Sequence, residues 1–255
     1  MKSAIAVKRI IFGYFIVIMI TVSVSITCEA EELDAQALIR QVETQYQGET
    51  SHATMRMRIV TDAWSREVTM ESWSEGREKF LAKILSPKKD EGTATLKIGD
   101  DMWNYLPKID RLMKIPSSLM GDRWMGSHLT NDDLVKENKI DELYTFMVEN
   151  VEDTVATIIC IPKPDAAIVW DKVVYSVDLD KKVPVEIDYY DEDGELVRIM
   201  TFDSVKKVSC RWIPLRMKIQ PVEYPDEMTE ITYENIKFDV QFDENQFSLS
   251  SLRRR

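Results

Sequence analysis

The sequence predicts a mainly β protein with antiparallel strands and a few helices. Three observations carry this. Apolar and polar residues alternate with period two through most of the chain. The runs recur roughly every 8–18 residues, separated by turn residues, which is the spacing of a meander. Only two stretches break the pattern, one near residue 38 and one over residues 116–142.

The alternation starts at Ala53, Met55, Met57 and Ile59, with Thr54, Arg56 and Arg58 between them. Phe80, Ala82 and Ile84 repeat it, as do Ala94, Leu96 and Ile98, and Trp103 and Tyr105 follow a Gly99-Asp100-Asp101 turn. In the second half the strands are marked by Val155 to Ile161, Val169 to Leu179, Val183 to Tyr189, Leu196 to Phe202, Ile213 to Ile219 and Ile231 to Ile236. Asp191-Glu192-Asp193-Gly194 is a hairpin turn. One large sheet, a sandwich and a barrel all fit this spacing. Several runs are longer than the usual strand, and long twisted antiparallel strands curl. The concavity of a curled sheet must be filled by the protein's own helices or by a ligand.

The first exception is a short amphipathic helix. Asp34 suits its N-cap. Leu38, Val42 and Tyr46, with Ile39 beside them, share one face, and Gln47-Gly48 ends it. The second exception, from Pro116 through Thr130-Asn131-Asp132-Asp133-Leu134, reads as helical turns with capping residues. Its Leu119, Met120, Trp124 and Met125 require a partner surface.

The first 30 residues are read as a targeting segment and excluded from the fold. Lys2, Lys8 and Arg9 precede an apolar run from Ile10 to Ile26, and Cys28-Glu29-Ala30 offers a small-residue cleavage site. Cleavage is expected after Ala30, which leaves residues 31–255 as one domain outside the cytoplasm. An uncleaved anchor and a lipidated Cys28 are the competing readings. The whole chain carries 33 basic and 44 acidic residues. Removing Lys2, Lys8, Arg9 and Glu29 leaves 30 against 43. An acidic protein of this kind is not expected to bind nucleic acid, which selects clustered Lys and Arg. Cys160 and Cys210 remain, either bridged or as two free thiols.

No catalytic, cofactor or metal motif stands out. The two histidines, His52 and His128, are far apart and lack cysteine partners at zinc-site spacing. There is no nucleophile elbow, phosphate-cradling loop or His-Glu-x-x-His sequence. Asp100-Asp101 and Asp132-Asp133 are explained by turns and helix caps. No enzyme, cofactor or metal is therefore expected. The more distinctive feature is methionine, which fills irregular volumes and adapts to varied partners. Met102, Met113, Met120 and Met125 cluster near Trp103, Tyr105, Leu119 and Trp124. That composition suits a plastic apolar cavity for acyl chains.

Residues 80–137 carry a resemblance. They contain Phe80-Leu81-Ala82-Lys83-Ile84-Leu85-Ser86-Pro87-Lys88, Gly92-Thr93-Ala94-Thr95-Leu96-Lys97, and Asp100-Asp101-Met102-Trp103-Asn104-Tyr105-Leu106-Pro107-Lys108 with Arg111. Arg123-Trp124-Met125-Gly126-Ser127 and Thr130-Asn131-Asp132-Asp133-Leu134 complete them. The stretch resembles bacterial outer-membrane lipoprotein-sorting proteins, the LolA-like group, in a longer and more acidic form. The resemblance implies a single curved antiparallel sheet forming an unclosed β-barrel, as in LolA and LolB, with helices plugging its concave face. It also implies a periplasmic, monomeric carrier of lipoprotein acyl chains or phospholipid, served by an inner-membrane transporter. On this reading Met55, Met57, Phe80, Ile84, Leu96, Met102 and Trp103 contact lipid, and Leu119, Met120, Trp124 and Met125 form a lid. Side chains alternate along a strand, so a shift of one residue turns such a list outward. The rival readings are an accessory protein that binds an envelope exporter or another partner, and an envelope enzyme using the paired aspartates.

Overall fold

The computed structural model describes residues 33–45, 48–136, 139–166 and 168–254. The expected signal segment, Cys28, Tyr46 and Gln47 lie outside the described residues.

The chain opens with α1 (Ala35–Gln45). Asp34 caps it, its Oδ1 accepting a 3.0 Å hydrogen bond from the Ala37 amide. Leu38, Ile39 and Val42 are buried on one face. Six strands follow: β1 (Thr50–Val60), β2 (Ser65–Glu75), β3 (Lys79–Ser86), β4 (Ala94–Ile98), β5 (Asp101–Leu106) and β6 (Arg111–Lys114). Among its described residues the crossover includes 3₁₀ turns at Ser117–Leu119 and Trp124–Gly126 and two short helices, α2 (Asn131–Lys136) and α3 (Ile140–Leu143). Seven more strands complete the sheet: β7 (Tyr144–Glu152), β8 (Val155–Pro162), β9 (Lys172–Asp178), β10 (Val183–Tyr190), β11 (Leu196–Val208), β12 (Arg211–Pro221) and β13 (Met228–Phe238).

All thirteen strands join one sheet in the order β6-β5-β4-β3-β2-β1-β13-β12-β11-β10-β9-β8-β7, with antiparallel pairing throughout. Every neighbour is consecutive in sequence except β1 and β13, which pair from Ser51–Phe238 to Val60–Met228. The two meanders are thus zipped at their outer ends. β6 and β7 stay at opposite edges, and the sheet is an unclosed barrel. The crossover from β6 to β7 has to pass from one edge to the other.

The sequence reading located most strands but not β2, β6 or β7. β2 is hard to see because its inward residues include Ser72 and Ser74, which are buried but polar. β6 is only four residues long. β7 is an edge strand whose Met147 and Val151 are exposed. Val169, read as part of a strand, lies in the loop before β9 and is exposed.

The main core lies on the concave side. Leu38, Ile39 and Val42 of α1 and Trp124, Leu129 and Ile140 of the crossover join Met57, Met70, Ile84, Ile158, Tyr175 and Met200 from the sheet. Helices therefore plug the concave face. A separate cluster lies on the convex side of the first meander, where Leu81, Ala94 and Leu96 meet Leu252, with Trp73, Trp103 and Phe247 packed around them. The C-terminal segment covers this outer face. Cys160 is buried and Cys210 exposed, and both thiols are free.

The covering role of the C-terminal segment gives a prediction. Leu252→Ala removes a side chain that is 1% exposed. It should cost about 2–4 kcal/mol, read as a lower urea midpoint at unchanged slope.

Candidate functional site: a hollow under the crossover

A hollow remains between α1, the crossover and the concave middle of the sheet. It has about 180 Å³ of space open to water-sized groups. α1 contributes Val42, and the crossover contributes Trp124, Leu129 and Leu134. β1 contributes Ala53 and Met55, and β3 contributes Phe80. The wall opposite is Ile187, Met200, Phe202, Met217, Ile231 and Tyr233, from β10 to β13. Burial pushes the Tyr233 phenol up to about 12.

The structure sorts the expected lipid-contact residues into three groups. Met55, Phe80 and Trp124 line the hollow together. Phe80 and Trp124 meet edge-to-face with centroids 6.5 Å apart. Met57, Ile84 and Met102 point to the same side but belong to the packed core around the hollow. Met125 also packs against that core, in a left-handed backbone conformation (φ 50°). Leu96 and Trp103 are a correction. They pair across β4 and β5 and point to the convex face, under Leu252 and Phe247. The inward residues of β4 are their neighbours: Lys97, which lines the hollow, and Thr95, whose hydroxyl accepts from Trp124 Nε1. Leu119 is exposed and Met120 half-buried; neither lines the hollow.

Sequence reasoning missed the far wall. Ile187, Met200, Met217 and Ile231 stand in strands that it had placed. The missing information was that β13 returns to pair with β1, which sets β10–β12 beyond it across the hollow from β3.

Three strands tether the crossover. Trp124 Nε1 donates to Thr95 Oγ1 of β4 at 3.1 Å. His128 meets β13 through Thr229 Oγ1, which lies 2.8 Å from its Nδ1, while its Nε2 lies 3.0 Å from Glu227 Oε2. That pairing holds the Glu227 carboxyl below the usual range. Asp133 of α2 accepts two hydrogen bonds from Arg198 of β11, at 2.7 and 3.1 Å. The Arg198 guanidinium also lies over the rings of Tyr189 and Trp170, at 3.9 and 4.6 Å from their centroids. Asp141 of α3 accepts from Arg77 of the β2–β3 turn. Gln36 of α1 donates to the Asp141 carbonyl at 3.0 Å.

The paired aspartates do not converge. Asp100 binds Lys139, Asp101 binds Lys114, Asp132 binds Lys136 and Asp133 binds Arg198. Among the described residues, no three His, Cys, Asp or Glu side chains are grouped to hold a metal. His52 stacks on Trp73, with centroids 5.3 Å apart.

Two predictions arise here. Arg198→Met leaves Asp133 buried and unpaired, so it should cost about 3–5 kcal/mol. Adding Asp133→Leu should return most of that in urea unfolding, because no uncompensated charge remains. The second concerns Lys97, which is 1% exposed. Burial pushes its ammonium down to about 8 from the ordinary 10.5, against the opposing pull of Glu78 and Asp100. Between those values the unfolded chain binds more protons than the folded one, so this group's contribution makes stability rise with pH. The rise is at most about 1.4 kcal/mol per pH unit. Comparing urea midpoints at pH 8 and 9.5 should show the rise in the wild type and lose it in Lys97→Met.

The fold has known relatives. The sequence profile of a family described as "Uncharacterized protein" matches residues 76–254. No curated protein matches the chain. A domain described as an outer-membrane lipoprotein-sorting protein, from Vibrio parahaemolyticus, superposes with a TM-score of 0.75 at 25% identity, covering 86% of this chain and 98% of its own. A DUF1329 family protein from Desulfovibrio piger gives 0.78 at 22%, covering 86% and 97%. A LolA superfamily protein from Nitrosomonas europaea gives 0.71 at 16%, covering 86% and 99%. The profile covers well over half of the chain, so the chain belongs to that family, and its fold is the one shared by these lipoprotein-sorting and LolA superfamily structures.

Proposed function

We propose that this protein is an exported, non-enzymatic carrier that shields lipid acyl chains in the hollow under its crossover. The observation that carries the reading is the wall of Met55, Phe80, Met200, Phe202, Met217 and Ile231 facing α1 and the crossover across unfilled space. Thioether and aromatic side chains can repack around chains of different length. Each methylene moved from water contributes about 0.8 kcal/mol, so uptake is strongly driven and release is the harder step.

Release sets a constraint on the empty state. The hollow seats on the order of ten water-sized groups, less than two or three long acyl chains require. Loading therefore displaces the cover, and unloading is favourable when the cover packs well by itself. The crossover suits both steps. It closes on the sheet through Trp124, His128 and Asp133, three separate contacts that can open and remake. The periplasm is the compartment in which this exchange takes place, after cleavage of the signal segment at Ala30, with an inner-membrane transporter as donor and lipoprotein or phospholipid as cargo. The protein acts as a monomer, with residues 31–255 as its single working domain.

A second reading has an observation of its own. Met147 and Val151 of edge strand β7 and Ile161 of β8 are exposed, which favours an accessory protein that docks a partner at that edge.

The test is native mass spectrometry with organic extraction on the mature protein, purified from the cell envelope without detergent. The carrier reading expects lipid at near-stoichiometric amounts. Ala53→Phe should fill the hollow and abolish co-purification, at a stability cost of about 1–3 kcal/mol. A ligand-free wild type that gains no mass on incubation with phospholipid vesicles would overturn the carrier and leave the docking reading.

A further inference from the structure

The hollow is graded along its length. The inward residues of β1 run Ser51, Ala53, Met55, and those of β2 opposite them run Ser74, Ser72, Met70. One end is thus hydroxyl-lined, and the body is thioether and aromatic. The polar end lies at the β2–β3 turn, where Gly76, Arg77 and Lys79 also line the space. Lys97 joins them from β4, in the cross-strand row Ser51, Ser74, Phe80, Lys97.

Lys97 differs from the other basic groups on the lining, Arg77 and Lys79. Arg77 pairs with Asp141 and Glu142, Lys79 with Glu75, and Asp133 with Arg198. Glu43 accepts a 3.0 Å hydrogen bond from the Tyr175 hydroxyl. Lys97 Nζ donates 2.7 Å to the Arg77 carbonyl, a neutral acceptor, and makes no ion pair with any described residue. An ammonium has three donors. A buried cation is costly unless an anion meets it. Nearby, Ser51 and Ser74 hydroxyls share one 2.6 Å bond. That bond uses one of their two protons and leaves the other to donate.

We infer that the Lys97 end of the hollow receives an anionic oxygen group carried on an acyl chain. The cargo is therefore an anionic amphiphile, with its carboxylate or phosphate at Lys97 and its chain along Met55, Met200 and Phe202. This rests on the carrier reading and narrows it: an uncharged acyl anchor would leave Lys97 without a direct ion pair among the described residues, with only the more distant pull of Glu78 and Asp100. Both a fatty-acid carboxylate and a phospholipid phosphate supply the required group. Bringing either to the ammonium also restores the proton affinity that burial removes.

The experiment titrates the mature protein separately with oleic acid, dioleoylphosphatidylglycerol and dioleoylglycerol, reading the bound fraction by native mass spectrometry. The variants are Lys97→Met, which keeps an apolar stem of similar volume, and Lys97→Arg, which keeps the charge. Thermal melts confirm that each is folded. The wild type should prefer at least one anionic lipid over dioleoylglycerol by about tenfold or more, as expected for a charge-assisted hydrogen bond. Lys97→Met should lose that preference while still binding dioleoylglycerol, and Lys97→Arg should restore most of it. Loss for oleate alone assigns the carboxylate source, and loss for phosphatidylglycerol alone assigns the phosphate source. An unchanged preference in folded Lys97→Met, or equal binding of all three lipids by the wild type, overturns the inference and leaves the carrier intact. Failure of the wild type to bind any of the three overturns the carrier reading, and this inference with it.

Discussion

The pairing of β1 with β13 is the constraint on which the rest of the structure depends. It joins the beginning of one meander to the end of another, across nearly the whole length of the described chain. Once that ladder forms, all other pairings are between sequence neighbours, and the two remaining edges are β6 and β7. The connection between those edges can then only travel over a face of the sheet. It takes the concave one, because Trp124, Leu129 and Ile140 bury there against the apolar rows of both meanders. The hollow is a consequence of this route: a strap and one helix cover a wide curved surface without filling it.

Polar contacts fix the strap's seat alongside its apolar burial. The bidentate Asp133–Arg198 pair is almost fully buried and stacked on two aromatic rings, while His128 reaches Thr229 and Glu227 within one short turn. Buried ion pairs are poor sources of net stability but strong enforcers of geometry, since any other placement leaves a charge stranded. A cover fixed this way has one well-defined position. Apolar packing alone would give a less specific seat.

The two faces of the first meander carry different work. Its convex side is sealed by the C-terminal segment, with Leu252 and Phe247 over Leu96 and Trp103. Its concave side carries Ser51, Ser72, Ser74, Thr95 and Lys97 among the apolar residues. A sheet with both faces covered shows weaker alternation than one with a solvated face, because both sets of side chains are buried. β4 illustrates this: Ala94, Thr95, Leu96 and Lys97 are all buried.

By itself the sequence determined the class of fold. Period-two runs, the Asp34 cap, the short amphipathic helix and the helical insert are local properties, set by a few neighbouring residues, and they reappear in place. The strands it did not show are those whose inward positions are polar, as in β2, or whose length or edge position weakens the pattern, as in β6 and β7. Met55, Phe80 and Trp124 were also legible as residues of the hollow, because each stands on a clear inward row or in an insert that needed a partner. Only the tertiary structure decided the rest. Leu96 looked inward because it is apolar, yet the buried lysine beside it takes that side, since Leu252 returns from the far end of the chain to cover the leucine. The far wall of Met200, Met217 and Ile231 likewise became a wall only through the β1–β13 ladder. Which face of a doubly buried strand looks into a hollow is set by partners more than a hundred residues away, and alternation within the strand carries no record of them.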